Sequence, residues 1–161
     1  MRSCSDVHNF LVEKDVPHEV IHLSALCKTA KAAAEQLGVP LREVIKSLVF
    51  LLDGRPTLVL VPGDRVADAQ LLRDVTGCER AVLAKGKQVL DITGYRAGAV
   101  PPCGLESPLP VVADTAMFQP EVIYCGGGTT ATMLKVRSHD LRKMLDPLVA
   151  EVTRPPAGED G

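Results

Sequence analysis

The spacing of apolar residues along the chain predicts helices that alternate with short strands. Helices are expected at about residues 5–15, 29–37, 65–75, 85–92 and 138–145, with one further short helix after Pro40. Strands are expected at about residues 19–23, 45–52, 57–61, 80–83, 110–113, 121–124 and 131–136. Ser5 and Ser138 are the predicted N-caps of the first and last helices. The second helix has the clearest periodicity, with Ala33 and Leu37 on one apolar face and Gly38 as its C-terminal cap.

The connections between these elements predict a mixed sheet. Ile45–Leu52, Asp53–Gly54 and Thr57–Val61 have the pattern of two buried strands joined by a tight hairpin turn. Other strands are separated by helices, which is typical of crossover connections. The expected fold class is α/β (α+β): one compact domain over residues 1–152, with a mixed, barrel-like sheet surrounded by helices. Residues 153–161 have little to bury and are expected to form a disordered tail.

Composition and charge exclude several classes of protein. The chain of 161 residues is 46% hydrophobic, which fits one globular domain with an ordinary core. The longest uncharged apolar run is far shorter than the roughly 20 residues of a membrane helix, and the N-terminus has no apolar signal core, so a cytoplasmic protein without a membrane partner is expected. A net charge of −2 argues against a DNA or bulk nucleic-acid binder and leaves a local contact with an RNA end open.

The cysteines form no recognised metal or disulfide pattern. They are widely spaced, at Cys4, Cys27, Cys78, Cys103 and Cys125, and no C-x-x-C pair occurs. An odd number without such pairs predicts neither a disulfide framework nor a cysteine zinc site. Cys103 and Cys125 each lie beside a glycine-rich segment, so a thiol nucleophile stays open, although buried cysteines that act as small apolar residues are commoner.

The segment His18–His22 matches the H-E-x-x-H pattern of zinc hydrolases. That chemistry needs a helix, because a helix places residues four apart on one face. The β-branched centre, Val20–Ile21, instead favours a strand, in which the two histidines would lie about 13 Å apart. A chance match is therefore the favoured interpretation, and a zinc hydrolase at His18 and His22 is the weaker alternative.

Lys46 opens the apolar run that forms the predicted strand 45–52, which is an unusual place for a lysine. On the strand pattern alone, two interpretations are open. The lysine is either a charge that protects an edge strand or a cation presented in a cleft to a phosphate, a carboxylate or a carbonyl oxygen.

Two glycine-rich segments are the other candidates for chemistry. Residues 98–104 contain the pattern G-x-x-x-P, and a backbone of this kind can donate hydrogen bonds to an oxyanion, although a surface turn is commoner. Residues 126–128 are three successive glycines after a predicted strand and form either a plain turn or an anion-binding nest. The Lys-Ser/Thr of a phosphate-binding P-loop does not follow them.

Three segments are informative when they are taken together and in order. They are Val44-Ile45-Lys46-Ser47-Leu48, Gly94-Tyr95-x-x-Gly98-Ala99-Val100-Pro101-Pro102-x-Gly104 and Ile123-Tyr124-Cys125-Gly126-Gly127. In this order and spacing they resemble the YbaK family of aminoacyl-tRNA deacylases, which is related to the editing domain inserted in bacterial prolyl-tRNA synthetases. The resemblance runs over about residues 5–150 and implies a compact α/β domain with a mixed, barrel-like sheet.

The resemblance also implies an activity and a set of site residues. The family hydrolyses the ester of a wrongly charged tRNA, commonly tRNA(Pro), and needs no metal or cofactor. Lys46 and Gly98 would be the catalytic positions, with the lysine orienting the 3′ end of the substrate. The substrate-binding positions implied are Ser47, Ala99, Val100, Pro101, Pro102, Cys125, Gly126 and Gly127. The implied partners are the aminoacyl-tRNA acceptor end and prolyl-tRNA synthetase.

The sequence departs from the cysteine-specific branch of this family. Leu23, Thr132 and Cys125 stand where that branch carries tyrosine, aspartate and serine. The expected function is a freestanding trans-editing deacylase, and the amino acid removed from tRNA(Pro) is expected to be alanine, cysteine, serine or threonine. A non-catalytic module that binds a nucleotide or an RNA 3′ end in the same cleft is the alternative.

Overall fold

The computed structural model describes residues 1–25 and 29–156. Cys27 and the last five residues of the predicted tail lie outside the described residues. The helices are α1 Cys4–Glu13, α2 Ala30–Leu37, α3 Ala69–Thr76, α4 Gly86–Thr93 and α5 Ser138–Leu145. The strands are β1 His18–His22, β2 Val44–Leu52, β3 Arg55–Pro62, β4 Val66–Ala67, β5 Ala81–Leu83, β6 Val111–Asp114, β7 Val122–Gly126, β8 Thr132–Arg137, β9 Leu148–Ala150 and β10 Thr153–Arg154. Short 3-10 helices cover Leu41–Glu43 and Thr115–Phe118.

Most strands join one sheet of both parallel and antiparallel pairs. The order of paired strands is β1-β8-β7-β2-β3-β6-β9, and β5 pairs with β2 beside this path. The β2–β7, β3–β6 and β6–β9 pairs are parallel, and the remaining pairs of this sheet are antiparallel. The strands β4 and β10 form a second, two-stranded sheet. The predicted α/β class with a mixed sheet is confirmed.

The β2–β3 hairpin is the centre of the sheet. Its antiparallel ladder runs over eight residue pairs, from Ile45 opposite Pro62 to Leu52 opposite Arg55. The turn residues Asp53 and Gly54 have φ values of 50° and 82°, the left-handed pair that a two-residue hairpin turn requires. The predicted hairpin is therefore confirmed. The hairpin also contributes to the main core, in which Leu58 and Leu60 are fully buried.

Helix α2 begins and ends as the sequence predicts. The Thr29 hydroxyl accepts a hydrogen bond from the Ala32 N–H at 3.1 Å, and Gly38 takes the left-handed conformation that ends the helix. The predicted N-cap of α1 is wrong. Ser3, not Ser5, is the N-cap, because the Asp6 carboxylate accepts a hydrogen bond from the Ser3 N–H at 2.8 Å.

Two further boundaries differ from the prediction. The helix expected from residue 65 begins at Ala69, because the Asp68 carboxylate accepts from the two N–H groups of its first turn and the chain before it is paired as β4. Ser138 is the first residue of α5 and not its cap. Its hydroxyl donates to the Pro120 carbonyl at 2.6 Å, so that it ties the helix to the loop before β7.

The expected tail is wrong for its first two residues. Thr153 and Arg154 pair with Ala67 and Val66, and Thr153 is only 2% exposed. The Asp114 carboxylate accepts hydrogen bonds from the Val152 N–H and from the Thr153 hydroxyl, both at 3.0 Å. Polar composition alone did not reveal this order, because the stabilising partners lie far away in sequence.

No helix in residues 1–25 and 29–156 combines the length and the apolar composition of a membrane-spanning helix.

Candidate active site

A cavity opens where β2 and β7 diverge. The two parallel strands pair only at Val44 with Tyr124 and at Ile45 with Cys125. Farther along the same side of β2, the next paired strand is β5, whose last residue, Leu83, lies opposite Phe50. The chain between these pairings lines a cavity of about 460 Å³. Its lining residues are Thr29, Ala30, Lys31, Ala33, Leu41, Val44, Ile45, Lys46, Ser47, Leu48, Gly63, Gly98, Val100, Gly126 and Met133.

Lys46 lies on an interior strand and its side chain reaches this cavity. β2 is flanked by β3 and, at Val44 and Ile45, by β7, so it is not an edge strand of the sheet, although its β7 side is unpaired at Lys46 and borders the cavity. The Lys46 ammonium donates to the Arg65 carbonyl at 2.7 Å, which leaves two of its three N–H bonds for other acceptors. Burial lowers its pKa below the ordinary lysine value, while the Asp64 carboxylate acts in the opposite direction. The site therefore presents a half-buried cation.

Ser47 lies in the cavity wall and carries an unpaired hydroxyl. Its oxygen is buried and, among the described residues, has no hydrogen-bond partner. A buried hydroxyl without a partner costs free energy, on the order of 1–3 kcal/mol. The fold therefore leaves this hydroxyl unpaired beside the cavity, with almost none of its oxygen surface facing it.

The opposite wall is the loop that contains Gly98. Gly98 has a φ of 88°, the Ala99 N–H donates to the Arg96 carbonyl at 2.9 Å, and the Ala99 carbonyl accepts from the Gly128 N–H at 3.0 Å. A side chain on Gly126 would place its Cβ only 2.5 Å from the Val100 carbonyl oxygen. The loop is therefore closely packed on the glycine turn, and glycine at residue 126 is required for this approach.

The structure brings together half of the predicted site residues. Lys46, Ser47, Gly98, Val100 and Gly126 line the cavity. The other predicted residues, Ala99, Pro101, Pro102, Cys125 and Gly127, are buried beside it and are not among its lining residues.

The cysteines beside the site are poor nucleophiles. Cys125 is fully buried, and burial raises the pKa of its thiol. Burial likewise raises the pKa of the Cys103 thiol to about 12. Both groups are therefore neutral thiols near pH 7, whereas a thiolate is the reactive form. The thiol nucleophile that the sequence left open has no support in this geometry.

The H-E-x-x-H segment forms strand β1, as its β-branched centre predicts. One ring nitrogen of His18, Nδ1, lies 2.8 Å from the Val16 carbonyl, and the other, Nε2, lies 2.8 Å from Nδ1 of His8. In the described part of the chain, no group of three His, Cys, Asp or Glu side chains is arranged to hold a metal ion.

Several cavity residues were missed at the level of sequence. Helix α2 contributes Ala30, Lys31 and Ala33, and the turn after β3 contributes Gly63. A Cβ on Gly63 would lie 2.8 Å from the Leu41 carbonyl oxygen, so this glycine also marks a close approach. The sequence does predict helix α2 from its caps and periodicity. No local pattern, however, indicates that α2 packs over the start of β2 and so lines the cavity.

A second cavity of about 730 Å³ adjoins the first. It shares Lys31, Leu41, Lys46 and Gly63 with the first cavity and adds Arg65 among others. The two adjoining cavities are called the groove below, and Lys46 is one of the residues at their common boundary.

The fold and the groove together describe a class of protein: a mixed α/β domain with adjoining cavities beside one half-buried cation, Lys46. Residues 25–144 match the family model of the aminoacyl-tRNA editing domain. The chain therefore belongs to the aminoacyl-tRNA editing domain family. The resemblance to the YbaK family that the sequence motifs indicated is confirmed.

Curated relatives and a solved structure agree with this family. A proline-tRNA ligase from Citrifermentans bemidjiense is 30% identical over 125 residues, which are 77% of this chain and 22% of the ligase. A proline-tRNA ligase from Nitratidesulfovibrio vulgaris is 36% identical over 89 residues, which are 55% of this chain and 16% of the ligase. The chain thus spans about a fifth of the length of these relatives. The crystal structure of "a putative trans-editing enzyme for prolyl tRNA synthetase" superposes with a TM-score of 0.87 at 27% identity and covers 96% of this chain and 98% of that one.

Proposed function

We propose that this domain hydrolyses the ester bond of mischarged tRNA(Pro) in trans, removing a small non-cognate amino acid: alanine, cysteine, serine or threonine. The observation that carries this proposal is the position of Lys46, a cation half-buried at the junction of two cavities. An ammonium in this position can bind the phosphate or the ribose oxygen of a 3′-terminal nucleotide while the aminoacyl group occupies the first cavity.

The chemistry is an ester hydrolysis. Water attacks the carbonyl carbon, the bond from that carbon to the ribose oxygen breaks, and the ribose oxygen takes the proton that the water loses. The products are free amino acid and tRNA with its terminal hydroxyl restored. Negative charge develops on the carbonyl oxygen, and hydrogen-bond donors aimed at it lower the barrier.

The loop at Gly98 supplies candidates for those donors. Among the described residues, the N–H groups of Gly98 and Val100 have no backbone hydrogen-bond partner, and both residues line the cavity. The neighbouring Ala99 is anchored through both its N–H and its carbonyl. The free N–H groups are therefore held on a fixed backbone, and positioned donors of this kind pay no reorganisation cost during the reaction.

The lining of the first cavity is compatible with an uncharged aminoacyl group. Its wall includes the apolar residues Ala33, Val44 and Met133. A synthetase discriminates against a side chain that lacks one methylene by only about 1–3 kcal/mol, so a second hydrolytic site of limited size improves accuracy.

Action in trans is supported by the similarity to the structure described as a trans-editing enzyme, which is covered over 98% of its length. The similarity to proline-tRNA ligases supports tRNA(Pro) as the substrate. Prolyl-tRNA synthetase is accordingly the proposed partner that produces the mischarged tRNA.

The test is a deacylation panel. The chain is incubated with tRNA(Pro) carrying alanine, cysteine, serine or threonine, and with Pro-tRNA(Pro), in the absence of synthetase. Lys46→Ala is compared with Lys87→Ala, a matched change at an exposed lysine of α4. We expect release of one non-cognate amino acid with the prolyl ester spared, and a fall of about 100-fold or more in Lys46→Ala only.

Two results would contradict the proposal. Equal hydrolysis by Lys46→Ala and the unchanged chain would remove the lysine from the site. Binding of charged tRNA with no release of any amino acid would identify a binding module without turnover.

A further inference from the structure

A continuous chain of hydrogen bonds leads from the cavity to the C-terminal strand β10. The Lys46 ammonium donates to the Arg65 carbonyl at 2.7 Å. The Arg65 guanidinium in turn donates to Thr153, from Nε to the hydroxyl at 2.6 Å and from a terminal nitrogen to the carbonyl at 3.3 Å. The residue that receives the Lys46 bond is therefore itself tied to β10.

The hydroxyl of Thr153 is the central link of this chain. It accepts from Arg65, so its single proton is free to be donated to the Asp114 carboxylate at 3.0 Å. Asp114 is also fixed, because it accepts from the Val152 N–H at 3.0 Å and from the Ala116 N–H at 3.1 Å. Thr153 and Asp114 are each only 2% exposed, so water does not compete for these bonds.

The backbone around Arg65 fixes the direction of its carbonyl. Before Arg65, the Gly63 N–H donates to the Val44 carbonyl at 2.6 Å and the Arg65 N–H donates to the Pro62 carbonyl at 3.1 Å. After Arg65, strand β4 pairs with β10. The lysine side chain has a flexible stem of four carbons. A fixed hydrogen-bond acceptor therefore restricts its ammonium to one position.

We propose that Arg65, Thr153 and Asp114 are positioning residues that hold the Lys46 ammonium at the junction of the two cavities. This inference rests on the proposed function for its catalytic consequence. None of the three needs to touch the substrate through its side chain. Their effect is to keep the cation within the short range over which it stabilises the reacting ester, since a displacement of about 1 Å can cost about 100-fold in rate.

Three variants separate the hydrogen bonds from simple packing. Thr153→Val keeps the shape and removes the hydroxyl, whereas Thr153→Ser keeps the hydroxyl. Arg65→Lys keeps the positive charge and loses the planar arrangement of two donors. The charged residues that line the cavities with Lys46 are Lys31, Glu35, Asp64 and Arg65, and Thr153→Val leaves all of them in place.

The first measurement follows Lys46 without any tRNA. Acetylation of each lysine is measured by peptide mass spectrometry as a function of pH, with the exposed Lys87 as the internal reference. In the unchanged chain, we expect Lys46 to titrate below the ordinary lysine pKa, because burial lowers its pKa. In Thr153→Val and Arg65→Lys, the released amine should titrate closer to the ordinary lysine value, and in Thr153→Ser it should keep its original profile.

The second measurement is deacylation of the amino acid identified in the panel. We expect kcat/KM to fall about tenfold in Thr153→Val and Arg65→Lys and to be largely restored in Thr153→Ser. A folded Thr153→Val protein with an unchanged Lys46 profile would overturn the proposal, and so would an equal shift in Thr153→Ser. If Thr153→Val does not fold, Arg65→Lys decides by the same criterion.

The two proposals fail in different ways. If the unchanged chain deacylates nothing while the Lys46 profile shifts as expected, the positioning chain stands and the proposed function is wrong. If deacylation depends on Lys46 but its profile is indifferent to Thr153, the function stands and the positioning chain is wrong.

Discussion

The half-buried amine of Lys46 makes activity depend on pH in a defined direction. Burial lowers its pKa below the ordinary lysine value, and only partial compensation comes from Asp64. The ammonium is present below this pKa and is lost above it. The rate of deacylation, corrected for spontaneous hydrolysis, should therefore decline as the pH rises. The decline should occur below the ordinary lysine pKa, because the pKa of Lys46 is lowered.

The control for this pH profile is Lys46→Arg. A guanidinium keeps its charge to above about pH 12, so whatever activity remains in Lys46→Arg should not decline over the same range. An identical decline in both proteins would assign the titration to another group.

Gly126 is the residue where a single methyl group is expected to disrupt the site. The Cβ of Gly126→Ala would lie 2.5 Å from the Val100 carbonyl oxygen, so the loop that contains Gly98 must move. We expect the rate of deacylation to fall about tenfold. The free energy of unfolding should fall by about 1–3 kcal/mol. Both are measured, the second by urea denaturation.

Gly86→Ala is the matched control for this change. Gly86 begins α4, and a Cβ there would meet nothing within 4 Å. Activity should be unchanged and stability equal or slightly higher, because alanine reduces the freedom of the unfolded chain. Equal losses in both variants would mean that close packing at Gly126 is not the cause.

The buried cysteines should resist alkylation in the native protein. The raised thiol pKa values of Cys103 and Cys125 leave little thiolate near pH 7.5, and both side chains are buried. Treatment with iodoacetamide should leave these two residues unmodified by mass spectrometry until urea is added. Rapid native modification of Cys125 with loss of activity would restore the thiol nucleophile as a hypothesis.

At the scale of the elements, α2 matters because it forms one side of the cavity. The Thr29 hydroxyl accepts from the Ala32 N–H and so begins the helix. Thr29→Ala should lower the free energy of unfolding by about 1 kcal/mol, whereas Thr29→Ser should retain most of the stability. Urea denaturation followed by circular dichroism measures both. Equal stability of the two variants would show that the cap contributes nothing measurable.

The same elements show where sequence patterns succeed. The boundaries of α2 and the β2–β3 hairpin follow from local chemistry, because a capping hydroxyl, a left-handed glycine and a two-residue turn act within a few residues. The boundary of α3 was wrong because residues 66–67 pair with a strand near the C-terminus. A partner that is more than eighty residues away in the chain leaves no trace in the local periodicity.

At the scale of the whole molecule, the net charge of −2 predicts limited dependence on salt. The cations that line the groove are Lys31, Lys46 and Arg65. Arg65 is assigned to positioning Lys46, so if Lys31 and Lys46 contact phosphates, the slope of log(kcat/KM) against log salt concentration should be about −1.4, from about −0.7 per contact. Lys31→Ala should reduce the slope by about 0.7, and Lys87→Ala should leave it unchanged. A slope steeper than about −5 would require a larger basic surface.

Sequence alone indicated the positions of the five α-helices and of every strand in the described residues except β4, β9 and β10, together with the mixed α/β class and the resemblance to an editing domain. It also singled out Lys46 and the glycine at residue 98. These follow from periodicity, turn chemistry and short motifs, which are properties of neighbouring residues.

Only the tertiary structure decided which residues form one site. The cavity exists because β7 leaves β2 after Ile45, and Cys125 is excluded from it because its side chain is packed in the core. The acceptor of the Lys46 bond, Arg65, is held by Thr153 at the other end of the chain. Burial, register and such distant hydrogen bonds depend on how the elements pack, and no local pattern specifies that packing.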